Sequence, residues 1–196
     1  GVGTAPTGVD NVQDMNGEPV MRMLGGTLDA AAWSSEAQPT TVVIVANRGL
    51  TGDGGWLFSQ INPARELFSS DNYWMGSGLQ VDTTFGNDVV GHGSSQTFLR
   101  TLLMDTHVMV CEFNGASSKF YADDPATPKA TMNCGTTAST SFRLGGRHSS
   151  FEGYWDGDVA FVMVLDKIMS APEREQTMNY LAARYLPMQI VFDGDA

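Results

Sequence analysis

Lysine is scarce in this chain of 196 residues: of 11 basic residues only three are Lys, and 22 acidic residues oppose them for a formal charge of −11. Binding to nucleic acid needs Lys and Arg to displace counterions from phosphates, and the few Arg are scattered. Nucleic acid and anionic membranes are therefore excluded as partners. The acidic surplus favours solubility and repulsion between copies.

Long apolar runs are missing as well. None approaches the roughly 20 residues that cross a bilayer, so no membrane insertion is expected. Gly1-Val2-Gly3-Thr4 is no signal peptide, and the absence of an initiating Met suggests a processed product or a domain cut from a longer protein. The two cysteines, Cys111 and Cys134, allow one bridge at most and match no zinc spacing; free thiols and a disulfide both stay open. There is no Asn-x-Ser/Thr sequon, so N-glycosylation is not expected.

Catalytic signatures are also lacking. A glycosidase needs two carboxylates facing each other across the scissile bond, and an E-x-D-x-x-E strand would put three acids on one face. Glu112 is followed instead by Phe113 and Asn114, and Glu152 by Gly153 and Tyr154. Asp156 and Asp158 do share a face. Neither Gly76-Ser77-Gly78 nor Gly91-His92-Gly93-Ser94 is a nucleophile elbow, and His92, His107 and His148 have no ligand spacing. The Gly-rich loop Asn47 to Gly55 lacks the Gly-Lys-Ser/Thr ending of a phosphate cradle. No enzymatic activity is expected.

What the chain does contain is glycine, 22 residues, with many Thr and Ser between short apolar segments, the composition of tight turns and strands. At this length one domain with a sizeable core is expected. Val159 to Leu165 is an unbroken apolar run, which predicts a strand covered on both faces. Ser170 and Glu173 then have capping-box spacing, Pro172 fits the first helical turn, and Met178, Leu181, Ala182 and Tyr185 form one stripe. A packing helix over 170–186 follows. His107 to Phe113 and Ser118 to Ala122 flank Asn114-Gly115, which suits the positive φ angles of a type I′ turn.

At these residues the chain resembles the laminin-G-like, concanavalin A-like lectin/glucanase superfamily. The resemblance rests on Gly157-Asp158-Val159-Ala160, the apolar strand, Met169-Ser170, Glu173-Arg174 and Tyr180-Leu181-Ala182-Ala183-Arg184-Tyr185. Phe161 stands where the family often has Glu. Val20 to Leu24 with Gly25-Gly26-Thr27-Leu28, and Gln38-Pro39-Thr40 leading into Val42 to Ala46, extend the likeness over residues 9–186. It implies an all-β fold: a two-sheet antiparallel jelly-roll β-sandwich (concanavalin A-like) with one C-terminal α-helix. Residues 1–8 read as a linker or arm and 187–196 as a C-terminal tail. An immunoglobulin-like sandwich is the other architecture, disfavoured by the capped helix and the missing Cys-Trp-Cys pattern.

The resemblance implies glycan recognition or adhesion by a non-catalytic module of a larger surface protein, extracellular or on a virion. The alternative is a decoration, cement or fibre domain of a phage particle, whose partner is the protein of its own assembly, and self-association into an oligomer fits either reading. A sugar needs an aromatic face and a few fixed polar groups; Tyr73, Trp74, Arg147 and His148 are the expected contacts, on loops and on the sheet the helix leaves open. No cofactor is expected. Calcium is the exception to test, because fold relatives bind it through loop carboxylates, and Asp53, Asp123 and Asp124 sit in loops.

Overall fold

The computed structural model describes residues 5–10, 12–30, 38–48, 55–61, 65–70, 73–77, 98–99, 106–134, 136, 138, 141–146 and 154–187. Two antiparallel sheets face each other. Sheet A has the order β1 (Thr7–Val9), β2 (Val20–Leu24), β13 (Asp156–Leu165), β4 (Thr40–Arg48), β9 (Thr106–Phe113), β10 (Ser118–Ala122) and β11 (Ala130–Met132). Sheet B runs β3 (Leu28–Ala30), β12 (Ser141–Leu144), β5 (Gly55–Ile61), β6 (Arg65–Ser70), β7 (Tyr73–Ser77) and β8 (Phe98–Leu99). With the helix α1 (Ala171–Tyr185) this is a concanavalin A-like jelly-roll sandwich.

Alternation along the strands of sheet A sorts its apolar residues into two layers. Val42, Ile44 and Ala46 point into the core between the sheets with Met109, Cys111, Phe113 and Phe120. Val43, Val45, Val108, Val110 and Tyr121 point the other way, where Met178, Leu181 and Tyr185 of α1 cover them. Continuous apolar runs result because both faces are covered. Between the sheets, Phe58 stacks on Phe142 with centroids 5.6 Å apart and meets Phe113 edge-on at 6.2 Å.

The run in β13 departs from full burial. A bulge between Val159 and Phe161 resets the alternation, so Val162 and Val164 pack toward the core and Phe161, Met163 and Leu165 toward the helix layer. All six residues from Ala160 to Leu165 are only half-buried. β2 pairs with β13 only from Asp156 to Val159, while β4 continues to Leu165; past Val159 no described strand flanks β13 on the β2 side.

The connection after β9 also differs from the expected tight turn. Asn114 has φ −147° and opens a 3-10 turn over Gly115–Ser117, in which Gly115 has φ +55°. The Ser118 hydroxyl bonds the Gly115 carbonyl and accepts the Asn114 N–H, so four residues, not two, bridge the strands. At the N-terminus, Thr7 and Gly8 pair with Arg22 and Met21 of β2. Cys111 and Cys134 are buried free thiols; burial pushes the Cys111 thiol well above its ordinary pKa, which keeps it protonated and unreactive.

Candidate functional site

Because α1 lies on the outside of sheet A, the outer face of sheet B is the one it leaves open. On β12 the alternation Ser141-Phe142-Arg143-Leu144 buries Phe142 and Leu144 in the core and sends Arg143 outward. β3 pairs with β12, and the register sets Asp29 opposite Arg143. The two side chains form a forked pair: Nη2 donates to Oδ2 at 2.8 Å, and Nε donates to Oδ1. The bond to Asp29 raises the Arg143 pKa above its already high value, so the guanidinium is permanently charged. Ser59 of β5 lies on the other side of Arg143, its hydroxyl donating to the Gly146 carbonyl at 2.9 Å.

A glycine pair holds this face together. Gly145 has φ +82°, and a Cβ there would stand 2.6 Å from the Gly26 carbonyl oxygen; a Cβ at Gly146 would stand 2.7 Å from the Thr27 side chain. The turn therefore fits beneath residues 26 and 27 only without side chains. The Tyr154 ring and the Arg143 stem both border Gly146, at 3.4 and 3.8 Å from that same Cβ position. Tyr154 is half-buried, whereas the neighbouring Trp155 is wholly buried in the core. An aromatic ring thus stands beside a fixed ion pair on the face of sheet B away from the core, the combination of apolar surface and fixed polar groups that a small polar ligand requires.

Of the four contacts expected from sequence, Tyr73 and Trp74 begin β7 rather than a loop; Tyr73 is in register with Ser70, and Trp74 with Ser69 and Leu99. Arg147 and His148 lie outside the described residues, as do Asp53 and Glu152. Asp29 was not anticipated. Its signal was the apolar alternation of Leu28-Asp29-Ala30, but the pairing to a strand 114 residues away is not readable from a pattern. The other named acids have structural partners. Asp158 accepts from Arg22 at 2.8 and 2.7 Å. Asp123 holds His107 at 2.6 Å and accepts the Val108 N–H at 2.9 Å, and Asp124 accepts the N–H groups of Ala126 and Thr127. Among the described residues no three His, Cys, Asp or Glu side chains gather around one point.

A groove of about 680 Å³ opens between the sheets, where β2 and β13 face β3 and β12. Val20, Leu28, Phe142, Leu144, Phe161 and Val162 are among its lining residues. Its apolar walls suit a sugar less well than the outer face does.

No family model matches the chain, and no curated protein does. Among solved structures it is similar to a heptameric SAP-like pentraxin from Limulus polyphemus, at 16% identity and TM-score 0.53 over 78% of this chain and 75% of that one. Domain 4 of AbnA, a GH43 extracellular arabinanase from Geobacillus stearothermophilus solved with arabinotriose, matches at 13% identity and TM-score 0.55 over 89% and 81%. Trypanosoma rangeli sialidase matches at 11% identity and TM-score 0.58 over 84% of this chain but 27% of its own; the chain spans about a quarter of the sialidase. These likenesses establish the fold. They also correct the expectation of no enzymatic activity, since chains of enzymes contain this sandwich. The link to enzymes is one of fold. A phage decoration or fibre role gains no support from these neighbours.

Proposed function

We propose that this chain binds glycans on the outer face of sheet B. The observation that carries the reading is the Asp29–Arg143 fork beside Tyr154 on the sheet that α1 leaves open. A pyranose or furanose offers a weakly polar face for the ring and hydroxyls for the ion pair, which can both accept and donate. The arabinotriose complex of the arabinanase domain supports the choice of ligand class. Tyr73, Trp74, Arg147 and His148 are proposed as further contacts. An extracellular setting goes with this reading, as does assembly into a multivalent oligomer. Among the described residues no helix is long and apolar enough to span a membrane.

The test is a glycan array of neutral and acidic oligosaccharides, probed with and without calcium. Tyr154→Ala should lower affinity about three- to tenfold, the worth of one aromatic contact, with Tyr154→Phe near the parent. Trp74→Ala and Arg147→Ala should weaken binding at a nearly unchanged melting temperature. An array with no signal, or signals indifferent to all three alanine variants, ends the reading. A core role for Trp74 would appear instead as about 3–5 kcal/mol of lost stability.

A further inference from the structure

We infer that the site selects neutral sugars and rejects anionic ones, with Asp29 as the specificity-determining residue; this rests on the glycan reading above. The two halves of the ion pair are unequally presented. The Arg143 side chain is 16% exposed and the Asp29 side chain 44%, so an arriving ligand meets the carboxylate first. The guanidinium lies deeper, its stem beside Gly146 and its Nε and Nη2 both directed at Asp29. Carboxylate oxygens only accept hydrogen bonds. They welcome hydroxyl donors, and they repel the carboxylate of a uronic or sialic acid or the oxygens of a sulfate ester.

The rest of the molecule acts in the same direction. A formal charge of −11 surrounds the pair with a field that lowers the local concentration of anions. Arg143 would be the natural anchor for an anionic sugar, since a guanidinium fork matches a carboxylate, yet Asp29 already occupies that fork. The more exposed carboxylate offers an arriving ligand acceptance from its hydroxyls beside an aromatic ring.

The test compares arabinotriose and other neutral oligosaccharides with trigalacturonate, sialyllactose and sulfated counterparts, using the parent chain and Asp29→Asn. The variant keeps the shape and removes the charge. The parent should prefer neutral ligands by about tenfold or more at low ionic strength, and the preference should shrink as salt screens exposed charges, over a Debye length of about 8 Å at 0.15 M. Asp29→Asn should bind the neutral ligands more weakly and the anionic ones more tightly, closing most of the gap. If the parent binds anionic glycans as well as neutral ones, or if Asp29→Asn leaves the ratio unchanged, the selectivity argument is wrong while glycan binding stands. If neither class binds the parent, the glycan reading itself fails and the selectivity falls with it. Equal melting temperatures of parent and variant distinguish lost contact from lost folding.

Discussion

Arg174 is the most heavily engaged side chain on the buried side of α1. Its Nη1 donates to Glu112 at 2.9 Å, its Nε to the Pro125 carbonyl at 2.8 Å, and its guanidinium lies 4.0 Å from the Tyr121 ring centroid. Both charged side chains are below 10% exposed, at 9% and 4%, so removing one leaves the other charged and unpaired out of water. Arg174→Met should therefore cost about 3–5 kcal/mol, and adding Glu112→Gln should restore most of it; urea unfolding of the single and double variants measures both. A single variant as stable as the parent would mean that Glu112 finds another partner. Glu173, one residue away, is exposed and behaves differently. Bonds from Lys167, from the Ser170 N–H and from the Ser170 hydroxyl hold its pKa down at about 2, against an ordinary 4.5. A depressed carboxylate stabilises the fold above its unfolded pKa and loses that effect as pH falls through the folded value. Glu173→Gln should thus melt below the parent at neutral pH, and the difference should fade between pH 4.5 and 2.

The helix as an element is secured at its start and along one stripe. Ser170 accepts the Glu173 N–H, and Glu173 accepts the Ser170 N–H, completing the capping box. Burial of Met178, Leu181 and Tyr185 contributes about 1.5–3 kcal/mol each, against a typical total stability of roughly 5–15 kcal/mol. Removing residues 170–186 should unfold the domain, and an unchanged melting transition would reduce α1 to an appendage. This element was legible in the sequence because its signals are local: a cap, a proline and a stripe within 17 residues. So were β2, β4, β9 and β10, whose apolar runs are long or bounded by glycine. Sheet B was legible only as short strand candidates, because the order of its strands depends on partners far away in the chain. The candidate site suffered most. Asp29 and Arg143 meet only because β3 and β12 pair at the edge of sheet B, and Arg174 finds its partner Glu112 from 62 positions earlier.

At the scale of the molecule, the two sheets differ in what they can meet. Sheet A carries the helix on its outside, whereas sheet B presents the ion pair and the ring. The order of sheet A also sets β13, near the C-terminal end of the sequence, between β2 and β4 from its first quarter. During synthesis at about 5–20 residues per second, the ribosome finishes β4 and then needs roughly six to twenty-five seconds more to deliver β13. Until then the inner edges of β2 and β4 have no strand between them, and Val43 and Val45 have no helix over them. A nascent chain of this design can pair β4 with β9, but it cannot close its central sheet or cover that sheet's outer face. A strand edge, the kind of surface that pairs with other chains, stays uncovered until the segment carrying β13 and α1 arrives.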